Sequence, residues 1–181
     1  MKWPRAVVVC LVTLVAASAS AQDVASPVSA QDRDHGSFLG DVVKQVALDP
    51  TTYAPAIMAW GATRLDWRSS QVFFRNGYYE HNPRFTVSGL PDDTAIGYAD
   101  GNRKISIDAV ANLQFSLLNN FPERVIERLL IRRYPQHRKL LRTIGWIERS
   151  VAASYWAYRL SAGHLRQWQE NERRARRLGY R

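Results

Sequence analysis

Asp66 and Glu80 are the residues whose types come nearest to two-carboxylate hydrolysis, in which one carboxyl group gives a proton and another takes one. Asp66 shares a helical face with Ala59, Ala62, Thr63, Ser70 and Phe73, so small neighbours let a second element approach and take the carboxylate out of water. A buried carboxylate must find a partner or become protonated. Arg133, set in the apolar stripe of Val125, Ile126, Leu129 and Leu130, is an arginine that the pattern offers, and a structural Asp66–Arg133 pair is the plain alternative to chemistry. Glu80 lies in Gly77-Tyr78-Tyr79-Glu80-His81-Asn82-Pro83, where a helix end delivers Glu, His and Asn into a loop. Its plain alternative is to cap backbone amides while Asn82-Pro83 starts a turn.

A second set is basic and aromatic. Arg138, Arg142, Trp146, Arg149 and Trp156 fall on one face of the last long helical pattern, opposite an expected core stripe of Leu140, Leu141, Ile144, Ile147, Val151, Tyr155 and Tyr158. Arg142 and Trp146 are spaced for a cation–π contact. Such a face suits a phosphate, glycan or lipid-headgroup surface, or a protein partner; the bland alternative is a sandwiched helix with both tryptophans buried. Arg173, Arg174, Arg176 and Arg177 carry the basic character to the carboxyl end. Residues 22–122 hold 8 Lys and Arg against 11 Asp and Glu, net −3, whereas residues 123–181 hold 15 against 5, net +10. That asymmetry suggests an acidic partner, although a solvated helical surface is its commoner cause.

Other chemistries find little support. The one cysteine, Cys10, lies in the amino-terminal apolar run. His35, His81, His137 and His164 show no metal spacing, no Gly-x-Ser-x-Gly or phosphate-cradling glycine loop occurs, and no metal or cofactor is expected.

The first residues read as an export signal: Lys2 and Arg5 form a charged start, Ala6 to Ala17 an uncharged and mostly apolar run, and Ala19-Ser20-Ala21 a cleavage site before Gln22. The run is too short to anchor in a bilayer, which takes about 20 apolar residues. The mature chain is therefore expected to be periplasmic or secreted, free of cysteine and without a transmembrane span. Nucleic acid is not expected as its partner, because basicity alone gives only salt-sensitive, non-specific binding and export separates the two.

Asp66, Ser69-Ser70, Gly77, Glu80 and Asn82-Pro83 together resemble the spaced Asp, Ser/Thr, Gly, Glu, Asn-Pro pattern of a group of small uncharacterised bacterial membrane proteins. The likeness is confined to Asp66 through Pro83, and the later helices depart from that group in being rich in Arg rather than membrane-spanning. It implies a bacterial envelope setting and brings no activity with it.

The elements that must position these residues are mostly helical. Residues 22–36 read as a flexible lead-in. Phe38, Leu39, Val42, Val43 and Val46 predict a short helix capped by Ser37. Asp49-Pro50 predicts a helix start, with Leu48 stapled on Tyr53, and Asn76-Gly77 its stop. Residues Tyr78 to Ala95 read as a long loop with a short strand at Phe85 to Val87. Asp100-Gly101-Asn102 reads as the turn of a β-hairpin between Ala95 to Tyr98 and Lys104 to Ile107. One helix should run from Asp108 to Asn119-Asn120, a second from the Asn120-Phe121-Pro122-Glu123 capping box to Pro135, and a third from Gln136 to about Leu160. A basic helical tail, residues 163–181, should follow the helical domain of residues 37–162.

The expectation is thus a mainly α protein, a bundle of four to five helices with a small β-hairpin. Its expected role is non-enzymatic docking on an anionic envelope surface or protein partner through the basic carboxyl-terminal helices. The alternatives are an exported hydrolase using Asp66 and Glu80, and a homo-oligomer joined through the Trp146 and Trp156 face.

Overall fold

The computed structural model describes residues 38–180, so the export signal, the lead-in and the Ser37 cap lie outside the described residues. The chain is mainly helical. Three long helices, α2 (Pro50–Arg75), α3 (Tyr98–Arg133) and α4 (Arg138–Leu178), follow a short one, α1 (Phe38–Leu48), and no strand forms among the described residues. The described residues fall into two compact units, one holding the chain up to Ala54 together with Phe115–Ser154, the other Pro55–Gln114 with Tyr155–Arg181.

The first unit begins at a helix junction written in local chemistry. Asp49 Oδ1 accepts from the Thr51 amide at 3.0 Å and the Thr51 hydroxyl at 2.7 Å, and Pro50 opens α2 without needing an amide hydrogen. Leu48 stays exposed, so the staple expected of it is absent; Tyr53 ties the junction instead, its hydroxyl donating to the Ala47 carbonyl at 2.7 Å. Val42, Val46 and Ala153 are buried apolar residues here, yet Asp49, Thr51, Thr52, Asn120, Glu127 and Arg149 are buried too.

The expected break at Asn119-Asn120 does not occur, and α3 runs on through Pro122. Asn120 donates to the hydroxyls of Thr52, at 2.9 Å, and Thr51, at 3.3 Å, while Asn119 donates to Glu123 Oε1 at 3.2 Å. With both amides bonded to other side chains, neither competes for its own backbone, and the helix continues. The break comes after Arg133, where Pro135–His137 forms a single 3₁₀ turn before α4.

The second unit has an aromatic centre. Trp67 of α2, Ile105 of α3 and Phe85 of the connecting loop are buried together, with Phe74, Ala95 and Ile96 packed around them. The Trp67 ring lies 5.1 Å from Phe85 and 5.6 Å from Phe74, and its indole N–H donates to the Tyr98 carbonyl at 3.2 Å. Gly77, at φ +82°, ends α2: its amide donates to Phe74 O at 3.1 Å and that of Tyr78 to Phe73 O at 3.1 Å.

The β-hairpin is a correction. Asp100, Gly101 and Asn102 stand in the first turn of α3, with the Gly101 amide donating to Gly97 O at 3.0 Å and the Asn102 side chain to Tyr98 O at 3.0 Å. A Cβ on Gly101 would sit 2.2 Å from the Trp67 ring, so this glycine serves close approach rather than a turn. The expected strand at Phe85 to Val87 is likewise replaced by a 3₁₀ turn, Pro83–Phe85, and two isolated bridges, Glu80 with Asp93 and Thr86 with Ala95.

The last helix corrects the expected core. Leu140, Ile144, Ile147, Val151, Tyr155 and Tyr158 are exposed, whereas Arg149, Ser150, Ala153 and Ala157 are buried. Gly163 does not interrupt α4, and the expected tail is part of the same helix.

Candidate functional site

In the second unit, α2 and α4 run side by side in the same direction, since Asp66 faces His164 and Ser70 faces Asn171 farther along both helices. The facing positions repeat at helical spacing: Thr63, Asp66, Ser70 and Phe73 on one helix, His164, Gln167, Asn171 and Arg174 on the other. Between them and the loop after Gly77 lies an open cleft of about 290 Å³.

Asp66 Oδ2 is 2.8 Å from His164 Nδ1, and Asp66 Oδ1 accepts from Asn171 Nδ2 at 3.4 Å. The Asn171 amide also reaches the Ser69 and Ser70 hydroxyls, each at 3.0 Å, and both hydroxyls donate back to the Asp66 carbonyl. A carboxylate can only accept, so in the neutral ring Nδ1 carries the proton and Nε2 is left as the basic nitrogen. Asp66 is half-buried, while about a third of His164 remains open to solvent.

No protein-family model matches this chain, and neither a curated protein nor a solved structure does. The site is therefore read from its own geometry.

Glu80 lines the same cleft. Its backbone is pinned by reciprocal bonds with Asp93, at 2.8 and 3.2 Å, and its Oε1 accepts from the Asn82 amide at 2.8 Å. Asn82 in turn caps the 3₁₀ turn, its Oδ1 accepting from the Arg84 amide at 3.1 Å. The capping roles weighed for both residues are present, and they hold the Glu80 side chain at the cleft wall. His81 pairs with Asp92 on the loop surface.

Arg174 stacks its guanidinium over Tyr78 at 5.0 Å and Phe73 at 5.6 Å, placing a cation at the cleft edge. The expected basic face is thus divided by the structure. Arg149 is buried and cannot meet a docking partner, Arg174 belongs to the cleft, and Arg138, Arg142, Arg173, Arg176 and Arg177 remain exposed. Trp146 is partly buried and Trp156 exposed, with Tyr155 edge-on to Trp156 at 5.6 Å.

The Asp66–Arg133 pair is also corrected. Asp66 has His164 and Asn171 as partners, and Arg133 donates to the Tyr134 hydroxyl at 3.2 Å on an exposed surface. The buried ion pairs lie in the first unit, where Arg149 donates to Asp49 at 3.1 Å and Glu127 at 2.7 Å, and Arg124 also pairs with Asp49. Burial raises the proton affinity of Asp49, but the Thr51 hydroxyl and amide and the Arg124 charge outweigh it and hold the carboxyl below its ordinary range.

In the sequence His164 stands out only as a histidine without metal spacing, and Asn171 not at all. The signal was there, because His164, Gln167, Asn171 and Arg174 recur at steps of three and four along one face. Among the described residues no group of three or more His, Cys, Asp or Glu is gathered for a metal, and no helix is long and apolar enough to cross a membrane.

Proposed function

We propose that the cleft of the second unit is an acid–base site of hydrolytic type, with His164 as its base. The 2.8 Å contact between Asp66 and His164 beside an open cleft carries this reading. Asp66 orients the ring through Nδ1, Nε2 takes a proton from water as that water attacks, and the same proton passes to the leaving group. Asp66 then acts as a positioning residue, because both of its carboxylate oxygens are engaged. Glu80, with one oxygen held by the Asn82 amide, is the second carboxylate of the cleft, and Arg174 attracts an anionic group of the substrate.

With residues 1–21 read as an export signal, and with the envelope setting that the Asp66 to Pro83 pattern implies, we place this activity on an envelope polymer outside the cytoplasm. Mass spectrometry of the exported chain should find Gln22 at its amino terminus; an intact chain beginning at Met1 in the cytosol removes the placement.

Chromogenic esters, phosphoesters and glycosides, followed by isolated envelope polymers, test the chemistry. Turnover should fall by about 10²-fold or more in His164→Gln with the helical circular dichroism unchanged. Glu80→Gln should also abolish it. Retained turnover in Glu80→Gln removes Glu80 from the mechanism, and turnover indifferent to His164→Gln, or absent from every substrate, removes the reading.

A further inference from the structure

We propose, resting on His164 as the base of the second unit's cleft, that Arg174 and the rings it stacks on form an oxyanion subsite set apart from that base. The substrate is then an elongated molecule that carries a carboxylate or phosphate remote from the bond that is cleaved.

Arg174 has an acid within reach on its own helix, because Glu170 stands four positions earlier, in the order that favours such a pair. Arg176 takes the corresponding partner, Glu172, at 3.8 Å. Arg174 does not. Its guanidinium lies instead over Tyr78 and Phe73, 5.0 and 5.6 Å from the ring centres, and makes no ion pair or hydrogen bond among the described residues. A guanidinium so stacked presents its N–H donors at its edge, where they match two oxygens of a carboxylate or phosphate.

The rings are held in place by the end of the chain. Gly179, at φ +70°, ends α4, and the Tyr180 amide donates back to Ala175 O at 3.0 Å. That turn lays the Tyr180 ring 6.0 Å from Phe73 and 6.4 Å from Tyr78, while Phe73 and Tyr78 meet edge to face at 5.6 Å. The rings tie the end of α4 to the end of α2, so the platform that carries Arg174 is part of the fold.

Its distance from the base follows from helix geometry. His164 and Arg174 are ten residues apart on α4, and the residues they face, Asp66 and Phe73, are seven apart on α2. At about 1.5 Å per residue, the oxyanion is held roughly 10–15 Å from the reacting bond. Asp66 and Glu80 line the same cleft, so a chain charged at every unit would meet their carboxylates. A molecule with an uncharged stretch before its oxyanion avoids them.

Titrating the intact chain with phosphate or acetate, against chloride at constant ionic strength, tests the subsite without turnover. The Arg174 Nε–H resonance, assigned by its loss in Arg174→Gln, should shift saturably with an oxyanion and not with chloride, and the tighter oxyanion names the source. No saturable shift overturns the proposal even if His164→Gln abolishes turnover. The offset is tested on whichever chromogenic class the parent turns over, extended by alkyl chains ending in carboxylate, phosphate or a neutral methyl ester. Charged ends should raise kcat/KM over the neutral end by about tenfold or more, only in chains that span the distance. The ratio should fall to about one in Arg174→Gln and persist in part in Arg174→Lys. Circular dichroism checks that each variant keeps its helices, and Arg174→Lys supplies the comparison if Arg174→Gln loses them. A preference already full in the shortest chain overturns the offset, and a ratio of one at every length overturns the role in substrate choice. Turnover absent from every class removes His164 as base and the substrate class with it, and the titration alone then decides the subsite.

Discussion

Where the second unit sets an indole, a phenyl ring and an isoleucine at its centre, the first unit sets two arginines and two carboxylates, with Thr51, Thr52 and Asn120 hydrogen-bonded beside them. The two centres respond differently to error. An aromatic cluster loses energy in proportion to what is removed, whereas a buried ion network is balanced only while each charge keeps its partner. The same contrast explains the surfaces: a helix that spends its inward face on charge has its apolar residues left over, and α4 of the first unit shows them to solvent.

The largest expected effect is on the charged centre. Arg149→Ala leaves Glu127 buried without its closest cation and Asp49 with one arginine instead of two, and should cost about 3–5 kcal/mol in urea unfolding. Arg149→Met combined with Glu127→Leu removes one charge of each sign and retains the Asp49–Arg124 pair, so it should be close to neutral. If the double variant proves as unstable as the single one, the ion pairs are not balanced in the way described and the contrast between the units fails.

The aromatic centre is probed by a change in the opposite direction. Gly101→Ala adds a methyl group 2.2 Å from the Trp67 ring, closer than any real contact, so the indole or the start of α3 must shift. The expected cost is about 1–3 kcal/mol, with a change in tryptophan emission as the ring moves. A variant as stable as the parent would show that the helix start slides freely over Trp67, and the glycine would lose its packing role.

These residues also show how far the sequence could be read. The Asp49-Pro50 junction and the Gly77 stop were legible because their causes lie within a few positions: a side-chain cap, a proline that needs no donor, a backbone with φ above zero. Gly101 misled because glycine beside Asp and Asn serves a turn as readily as a close approach, and its partner Trp67 lies in another helix. The face of α4 was misread for the same reason. Its apolar stripe is the stronger periodic signal, but Arg149 finds its acids 22 and 100 positions away, and no local pattern records that. The cleft was half legible: Asp66 and Glu80 do line it, yet the arginine offered to Asp66 was Arg133, picked out by its place in an apolar stripe, whereas its partners His164 and Asn171 lie about a hundred positions away on another helix.

The smallest expected effect separates two acids of the first unit, Glu123 and Asp49, by pH. Glu123 is pushed above its ordinary value by burial and by the neighbouring Glu148, against the pull of Arg149 and the Asn119 hydrogen bond, and its Oε2 finds no donor among the described residues. A carboxyl group with a raised folded pKa carries a cost that is full once the pH exceeds that pKa and disappears as the pH falls below its ordinary value near 4.5. Asp49 has the opposite sign: its contribution is present above its ordinary value near 3.8 and is lost as the pH drops toward its lowered folded pKa. Glu123→Gln keeps the acceptor for Asn119 and removes the repulsion from Glu148, so its melting temperature should exceed that of the parent at pH 7, with the gap closing below about pH 4.5. Both chains should then lose stability together as Asp49 is protonated. A Glu123→Gln variant that melts lower than the parent at pH 7 would mean that the charge on Glu123 helps to hold Arg149, and that the network contains three acids rather than two.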